Sequence, residues 1–129
     1  MPHTIVVREG AELPTGPFAP ATLATGTRVL TISGQIADEP GGSIVGGSDA
    51  EEQARQCLRN IDGLLRAAGA TREDVVRVGV FLTDIDDRAA VGRARVEYFG
   101  NHKPASTLFE VSRLVSPELK VEIEATAIF

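Results

Sequence analysis

Two helical segments, each placed between strand-like segments, constrain the fold of this chain most. The first helix is predicted to begin after Ser48 as its N-cap and to run to about Ala68, because acidic residues follow Ser48 and Gly69 provides a stop. A second helix is predicted over residues 86–99, ending at Gly100. The apolar residues of the first helix recur every three or four positions and are Ala54, Cys57, Leu58, Ile61, Leu64, Leu65 and Ala68.

Runs of alternating or densely apolar residues predict the strands, and three prolines predict an ordered loop over residues 14–20. Residues 22–24 and 28–35 are predicted to form a hairpin around a turn at 25–27. The predicted strands cover residues 4–8, 22–24, 28–35, 75–83, 107–114 and 120–129.

The order of these elements predicts an α+β fold, in which a mixed β-sheet has both helices packed on one face. In the last strand, apolar residues alternate with polar ones, so one face belongs to the core and the other does not. Two helices cover only one side of a sheet. The other side must therefore be polar or be buried in an oligomer, and Phe109 and Val111 favour burial.

Length and composition limit the classes of protein to consider. With 129 residues, the chain is predicted to form one domain, residues 1–129. No apolar run reaches the length of a membrane span, and the first residues lack a signal-peptide pattern, so we expect a cytoplasmic protein without a membrane partner. The net charge of −5 disfavours nucleic acid as a partner.

The residues that bind metals or form disulfides are few. Cys57 is the single cysteine, and the two histidines, His3 and His102, lie far apart in the sequence. No metal site and no cofactor are therefore expected. Because Cys57 lies on the apolar face of the first helix, we interpret it as a core residue.

Two further patterns contain residue types that take part in catalysis. Ser33 is not in a nucleophile elbow, because Thr31 stands where that turn needs glycine. Glu122 and Glu124 point to the same face of the last strand, where they are either solvated edge charges or the source of an acid/base group. The spacing of the two glutamates leaves both interpretations open.

Several short motifs, taken in their order and spacing, resemble the RidA/YjgF family over nearly the whole chain. The resemblance implies a chorismate-mutase-like fold and a homotrimer around a central β-barrel, with three clefts between subunits. The motifs are GPFAP at 16–20, ISGQI at 32–36, Asn60, AAGA at 67–70, VFLTD at 80–84, YFG at 98–100, PA at 104–105, EVSRL at 110–114 and VEIEA at 121–125.

The resemblance also implies a chemistry for the clefts. Typical members hydrolyse reactive enamines and imines to 2-keto acids and ammonia, with an arginine that binds the substrate carboxylate and a glutamate that positions or activates water. By motif, Glu122 takes the position of that catalytic glutamate, and Ser33 and Gly34 line the pocket. Ser106 stands at the position of the arginine.

Five departures from the family pattern concern the substrate pocket. Phe18 stands where a tyrosine is usual, and Ala19 and Pro20 replace a serine or valine followed by a glutamine. Leu108 takes a frequent cysteine position, and Ser106 replaces the arginine. The fifth departure is Arg88, which takes a usually aromatic position and is either a relocated anion-binding residue or a surface arginine. These departures predict a substrate other than the standard 2-imino acids.

Two classes of function follow from the resemblance. The first is an enzyme that transforms a reactive enamine, imine or related electrophile, with Glu122 handling a proton or water. The second is a trimeric protein that binds a small metabolite without catalysis. Ribonuclease activity ranks last, because the chain is acidic and offers no paired histidine or lysine constellation.

Overall fold

The computed structural model describes residues 3–129 and contains six strands and two α-helices in that part of the chain. Short 3₁₀ turns at Arg72–Asp74 and Ile85–Asp87 precede the fourth strand and the second helix. In chain order, the elements are β1 (Thr4–Val6), β2 (Ala21–Leu23), β3 (Val29–Gln35), α1 (Ala50–Ala67), β4 (Val75–Leu82), α2 (Arg88–Phe99), β5 (Ala105–Glu110) and β6 (Val121–Ile128).

A four-stranded mixed sheet forms the centre of the fold, in the order β3-β6-β4-β5. β4 and β5 run parallel, whereas β6 is antiparallel to both of its neighbours, β3 and β4. Strands β1 and β2 form a separate antiparallel pair. The predicted α+β architecture, with two helices packed on a mixed sheet, is confirmed.

The hairpin predicted for residues 22–24 and 28–35 is wrong, because β2 pairs with β1 and β3 pairs with β6. The turn at 25–27 leads the chain to the end of β6 instead. The amides of Thr27 and Arg28 donate to the carbonyl of Phe129 over 3.1 and 2.9 Å, and the amide of Phe129 donates to the carbonyl of Arg28 over 3.0 Å. The Arg28 guanidinium also lies 4.8 Å from the centre of the Phe129 ring.

The N-cap of α1 is Asp49 rather than the predicted Ser48. Asp49 Oδ1 accepts from the amides of Glu51 and Glu52 over 3.0 and 3.3 Å, and this satisfies two donors that the helix leaves free. At the other end, Gly69 adopts a positive φ of 83°, which suits glycine after a helix.

Strand β5 spans Ala105–Glu110, so it begins and ends earlier than the predicted strand over residues 107–114. Its parallel register with β4 pairs Arg77 with Ala105 and Leu82 with Glu110. β4 ends at Leu82, and the pairing of the two strands closes with the Val111 amide, which donates to the Leu82 carbonyl over 2.7 Å. The segment 111–114, predicted as strand, therefore lies outside it.

The core lies between the helices and one face of the sheet. Alternate residues of β6 are buried there, as its pattern predicts, together with the apolar face of α1. Cys57 is fully buried in this core, and burial raises the pKa of its thiol to about 12, so the thiol is held neutral.

The other face of the sheet is not covered by either helix. Phe81 and Phe109 meet edge to face on it, with ring centres 5.0 Å apart, and Phe109 is 44% exposed. Val29 at the edge strand is 68% exposed. We call this surface the open face. Exposed apolar residues on such a surface are suited to burial against another chain.

Candidate functional site

The Glu122 side chain lies on the open face, directly over Gly34 of the neighbouring strand. A methyl group built on Gly34 would collide with the Glu122 carboxylate and would lie 2.7 Å from its Cδ. The β3–β6 register also shifts between Ile32 and Gln35, so the irregular stretch of β3 faces this glutamate. A glycine at position 34 therefore makes room for the carboxylate.

Glu124 lies two residues further along the same face but has a different environment. Its carboxylate accepts from Arg77 Nη1 over 2.9 Å and packs over Gly79. Within residues 3–129, Glu122 makes no ion pair or side-chain hydrogen bond. Of the two glutamates, Glu124 is the neutralised one and Glu122 retains a free carboxylate for a ligand or water.

Ser33 lies beside Gly34 on β3 and is exposed. It lies within the register shift between the buried Ile32 and Gln35, next to the glycine that faces Glu122. Ser33, Gly34 and Glu122 thus form one half of the predicted site, at the β3–β6 side of the sheet.

The other half is a cavity of about 850 Å³ beside α2, β5 and the loop around residue 17. Four of the predicted pocket residues line this cavity: Phe18, Arg88, Ser106 and Leu108. Its wall is mainly apolar.

The sheet separates the two halves within one chain. Ser106 is in register with Val78, a buried residue on the helix side of β4, whereas Glu122 is in register with Phe81 on the open face. One chain therefore does not bring Glu122 to the cavity. A site that uses both halves needs a second copy of the chain.

Arg95 on α2 is the cavity residue that the sequence analysis missed. The residue is only 4% exposed, and its Nη2 donates to the carbonyl of Pro17 over 3.4 Å, while its Nε has no hydrogen-bond partner among residues 3–129. Burial lowers the pKa of Arg95 to about 10. Arg95 follows Arg88 by seven residues and so lies on the same side of the helix. It was not predicted as a site residue, because an arginine on a helix is ordinarily solvated.

Two further charged residues that line the cavity form ion pairs with residues of α1. Arg93 donates to Glu51 over 2.7 Å, and Glu97 accepts from Arg55 over 2.7 Å. Arg88 is exposed at the cavity and makes no ion pair with residues of the described chain.

The two histidines, distant in sequence, are in contact. The ring centres of His3 and His102 are 4.3 Å apart, but their Nε2 atoms lie against the carbonyls of Lys103 and Val75 at 2.9 and 2.7 Å. From residue 3 onward, no group of three histidine, cysteine or acidic side chains is arranged to hold a metal ion. No helix in that same range is long and apolar enough to cross a membrane.

Comparisons with known proteins give one family. The family model described as endoribonuclease L-PSP matches residues 10–129. A RutC family protein of Pyrococcus horikoshii is 44% identical over 124 residues, which are 95% of each chain.

Solved structures agree with that assignment. The Rid family protein YyfB of Yersinia pestis, of unknown function, has a TM-score of 0.90 and 34% identity over 100% of both chains. TdcF of E. coli, with bound serine, has a TM-score of 0.73 and 31% identity over 98% of both chains. With a family match over residues 10–129 and relatives at this identity, the chain belongs to the RidA/YjgF family.

Proposed function

We propose that this protein is an enzyme that hydrolyses or otherwise transforms a reactive enamine, imine or related electrophile in a cleft between two copies of the chain. The observation that carries the proposal is the carboxylate of Glu122, which has no partner within residues 3–129 and is held over Gly34 on a face that neither helix covers. An unpaired carboxylate next to an open surface is suited to accept a proton from water.

The hydrolysis needs one base and no cofactor. An enamine first takes a proton from the solvent at carbon and becomes an iminium ion. Glu122 then accepts a proton from water as the water oxygen bonds to the iminium carbon, and the resulting carbinolamine keeps both the hydroxyl and the amine. Return of that proton to nitrogen and loss of the hydroxyl proton release ammonia and leave a carbonyl product, so every atom of the water is accounted for.

A homotrimer would complete the site. The open face carries Glu122 together with exposed Val29 and Phe109, and the cavity with Ser106 lies on the other side of the sheet. In a closed ring, the open face of one copy meets the neighbouring copy, so that each cleft receives one half of the site from each. This arrangement would bury the exposed apolar residues and bring Glu122 to a neighbour's cavity.

The substrate is proposed to differ from the standard 2-imino acids. TdcF, a structural neighbour, has been crystallised with serine, a small amino acid. In the present chain, Ser106 stands where the family arginine binds a carboxylate, and Phe18 and Leu108 make the cavity wall apolar. These residues favour a substrate with a larger apolar part, held by a cation elsewhere.

The second candidate function is the binding of a small metabolite without catalysis. The mainly apolar cavity of about 850 Å³ favours it, since a cavity of that size has room for a drug-sized molecule. Ribonuclease activity, which the family description suggests, has weaker support, because the net charge of −5 opposes binding of a polyanion.

A coupled assay tests the enzyme proposal. A dehydratase generates 2-aminoacrylate from serine or 2-aminocrotonate from threonine, and keto acid release is timed with and without this protein. We expect a weak acceleration with 2-aminoacrylate, and a larger one with enamines that carry a bulkier apolar group. If no enamine or imine of such a panel is consumed faster than in buffer, the binding alternative replaces the enzyme.

A further inference from the structure

We infer that Arg95 and Ser106 form an anion-binding site in the cavity, which takes the carboxylate of a small ligand with an apolar body. The inference deepens the proposed function by naming how its ligand is held, and it rests on that function only in taking the cavity as the ligand site. The cation would come from α2, because the family position for it on β5 is Ser106.

The guanidinium of Arg95 is buried, and no residue from His3 to Phe129 gives it an anionic partner. The residue is 4% exposed. Within the described part of the chain its Nε is unsatisfied, and its one hydrogen bond goes to the neutral carbonyl of Pro17 at 3.4 Å. Burying an unpaired cation is costly, and the cost is relieved when an anion binds. No carboxylate on the described residues takes that role, since Glu97, the acidic residue that lines the cavity, is paired with Arg55.

Ser106 supplies a second unsatisfied group in the same cavity. Its Oγ is out of contact with solvent and has no hydrogen-bond partner within residues 3–129. Buried hydroxyls and guanidinium groups normally find partners. Both residues line the cavity and each has an unsatisfied atom, so together they point to a ligand that accepts hydrogen bonds.

The chemistry of the wall favours a carboxylate with an apolar body. A guanidinium presents parallel N–H donors that match the two oxygens of a carboxylate. Phe18, Val96 and Leu108 line the same cavity and would contact the rest of the ligand. Arg88 is exposed at the cavity and so is solvated, which makes Arg95 the better anion-binding residue.

The test uses benzoate as the probe and benzamide as its uncharged isostere, with binding measured by NMR titration of the wild-type protein. We expect benzoate to bind at least about tenfold more tightly than benzamide, since a charge-assisted bidentate contact is involved. Arg95→Met should remove the preference while leaving the melting temperature unchanged or higher, because an unpaired buried charge is replaced by an apolar side chain. Ser106→Ala should weaken benzoate several-fold.

Matched variants separate this site from a structural role for the arginine. Arg95→Lys, which keeps the charge but not the paired donors, should retain part of the preference, and Arg88→Met should retain all of it. The inference would be overturned if the wild type bound the two probes equally or did not bind benzoate. It would also be overturned if Arg95→Met kept the preference for benzoate. The titration measures binding and the keto acid assay measures turnover, so a failed hydrolysis assay and a failed anion site are distinguishable.

Discussion

Replacing Glu122 by glutamine is expected to lower the rate of enamine or imine hydrolysis by at least about a hundredfold, the usual contribution of a general base. Glutamine keeps the shape of the side chain over Gly34 but cannot accept a proton from water. Because the residue is only half-buried, the variant should fold as the wild type does. The measurement is kcat in the coupled keto acid assay, with circular dichroism as the check on folding.

Glu124→Gln is the matched control, since it lies on the same strand and the same face two residues away. Its carboxylate is paired with Arg77 at 2.9 Å, so it should lose little activity. Gly34→Ala offers a second check, because the added methyl group collides with the Glu122 carboxylate and should lower activity without a loss of stability of similar size. Equal losses in Glu122→Gln and Glu124→Gln would contradict the role assigned to Glu122.

Gln53→Leu is expected to lower the free energy of unfolding by about 3 kcal/mol, at about 1 kcal/mol for each hydrogen bond removed. Gln53 is fully buried at the start of α1, and its Nε2 donates to the carbonyls of Gly47 and Glu118, each over 2.9 Å. Its Oε1 accepts from the amide of Lys120 over 2.8 Å. Leucine fills the space but leaves these three backbone groups without their partner.

Urea denaturation at fixed protein concentration measures the effect, because assembly makes stability depend on concentration. Glu52→Leu, one residue earlier in α1, removes a surface ion pair to Arg55 and should change the free energy of unfolding by less than about 1 kcal/mol. A loss for Gln53→Leu no greater than that of the control would show that water replaces the glutamine without cost.

The elements that local patterns dictate were predictable from the sequence. The apolar spacing of α1 and the alternation of β6 follow from their periods, and Gly69 marks the end of the first helix region. The hairpin was not predictable, because the partners of residues 27 and 28 come from Phe129, at the far end of the chain. Local turn chemistry carries no information about such a partner.

The site was predictable in part, for the same reason. The motif of the last strand singles out Glu122, and the structure adds that Glu124 is neutralised by Arg77, a pairing between two strands. Arg95 could not be predicted as a site residue, because its burial depends on how α2 packs beside the loop that contains Pro17. Exposure of an arginine is the rule on a helix, and only the tertiary structure identifies the exception.

A subunit-mixing experiment tests most directly whether each site is built from two copies. Gly92→Leu blocks the cavity, because Gly92 lines it and a methyl group built there meets no atom within 4 Å of its own chain. Glu122→Gln disables the other half. Each variant alone should be inactive, and light scattering should give a trimer mass for both.

When the two variants are refolded together in equal amounts, a site is intact only if one copy supplies Glu122 and its neighbour supplies an open cavity. Random assembly makes each condition true half the time, so about one quarter of the wild-type activity should return. If the mixed assemblies are trimers and show only the summed activity of the two parents, the site lies within one chain and the account is contradicted.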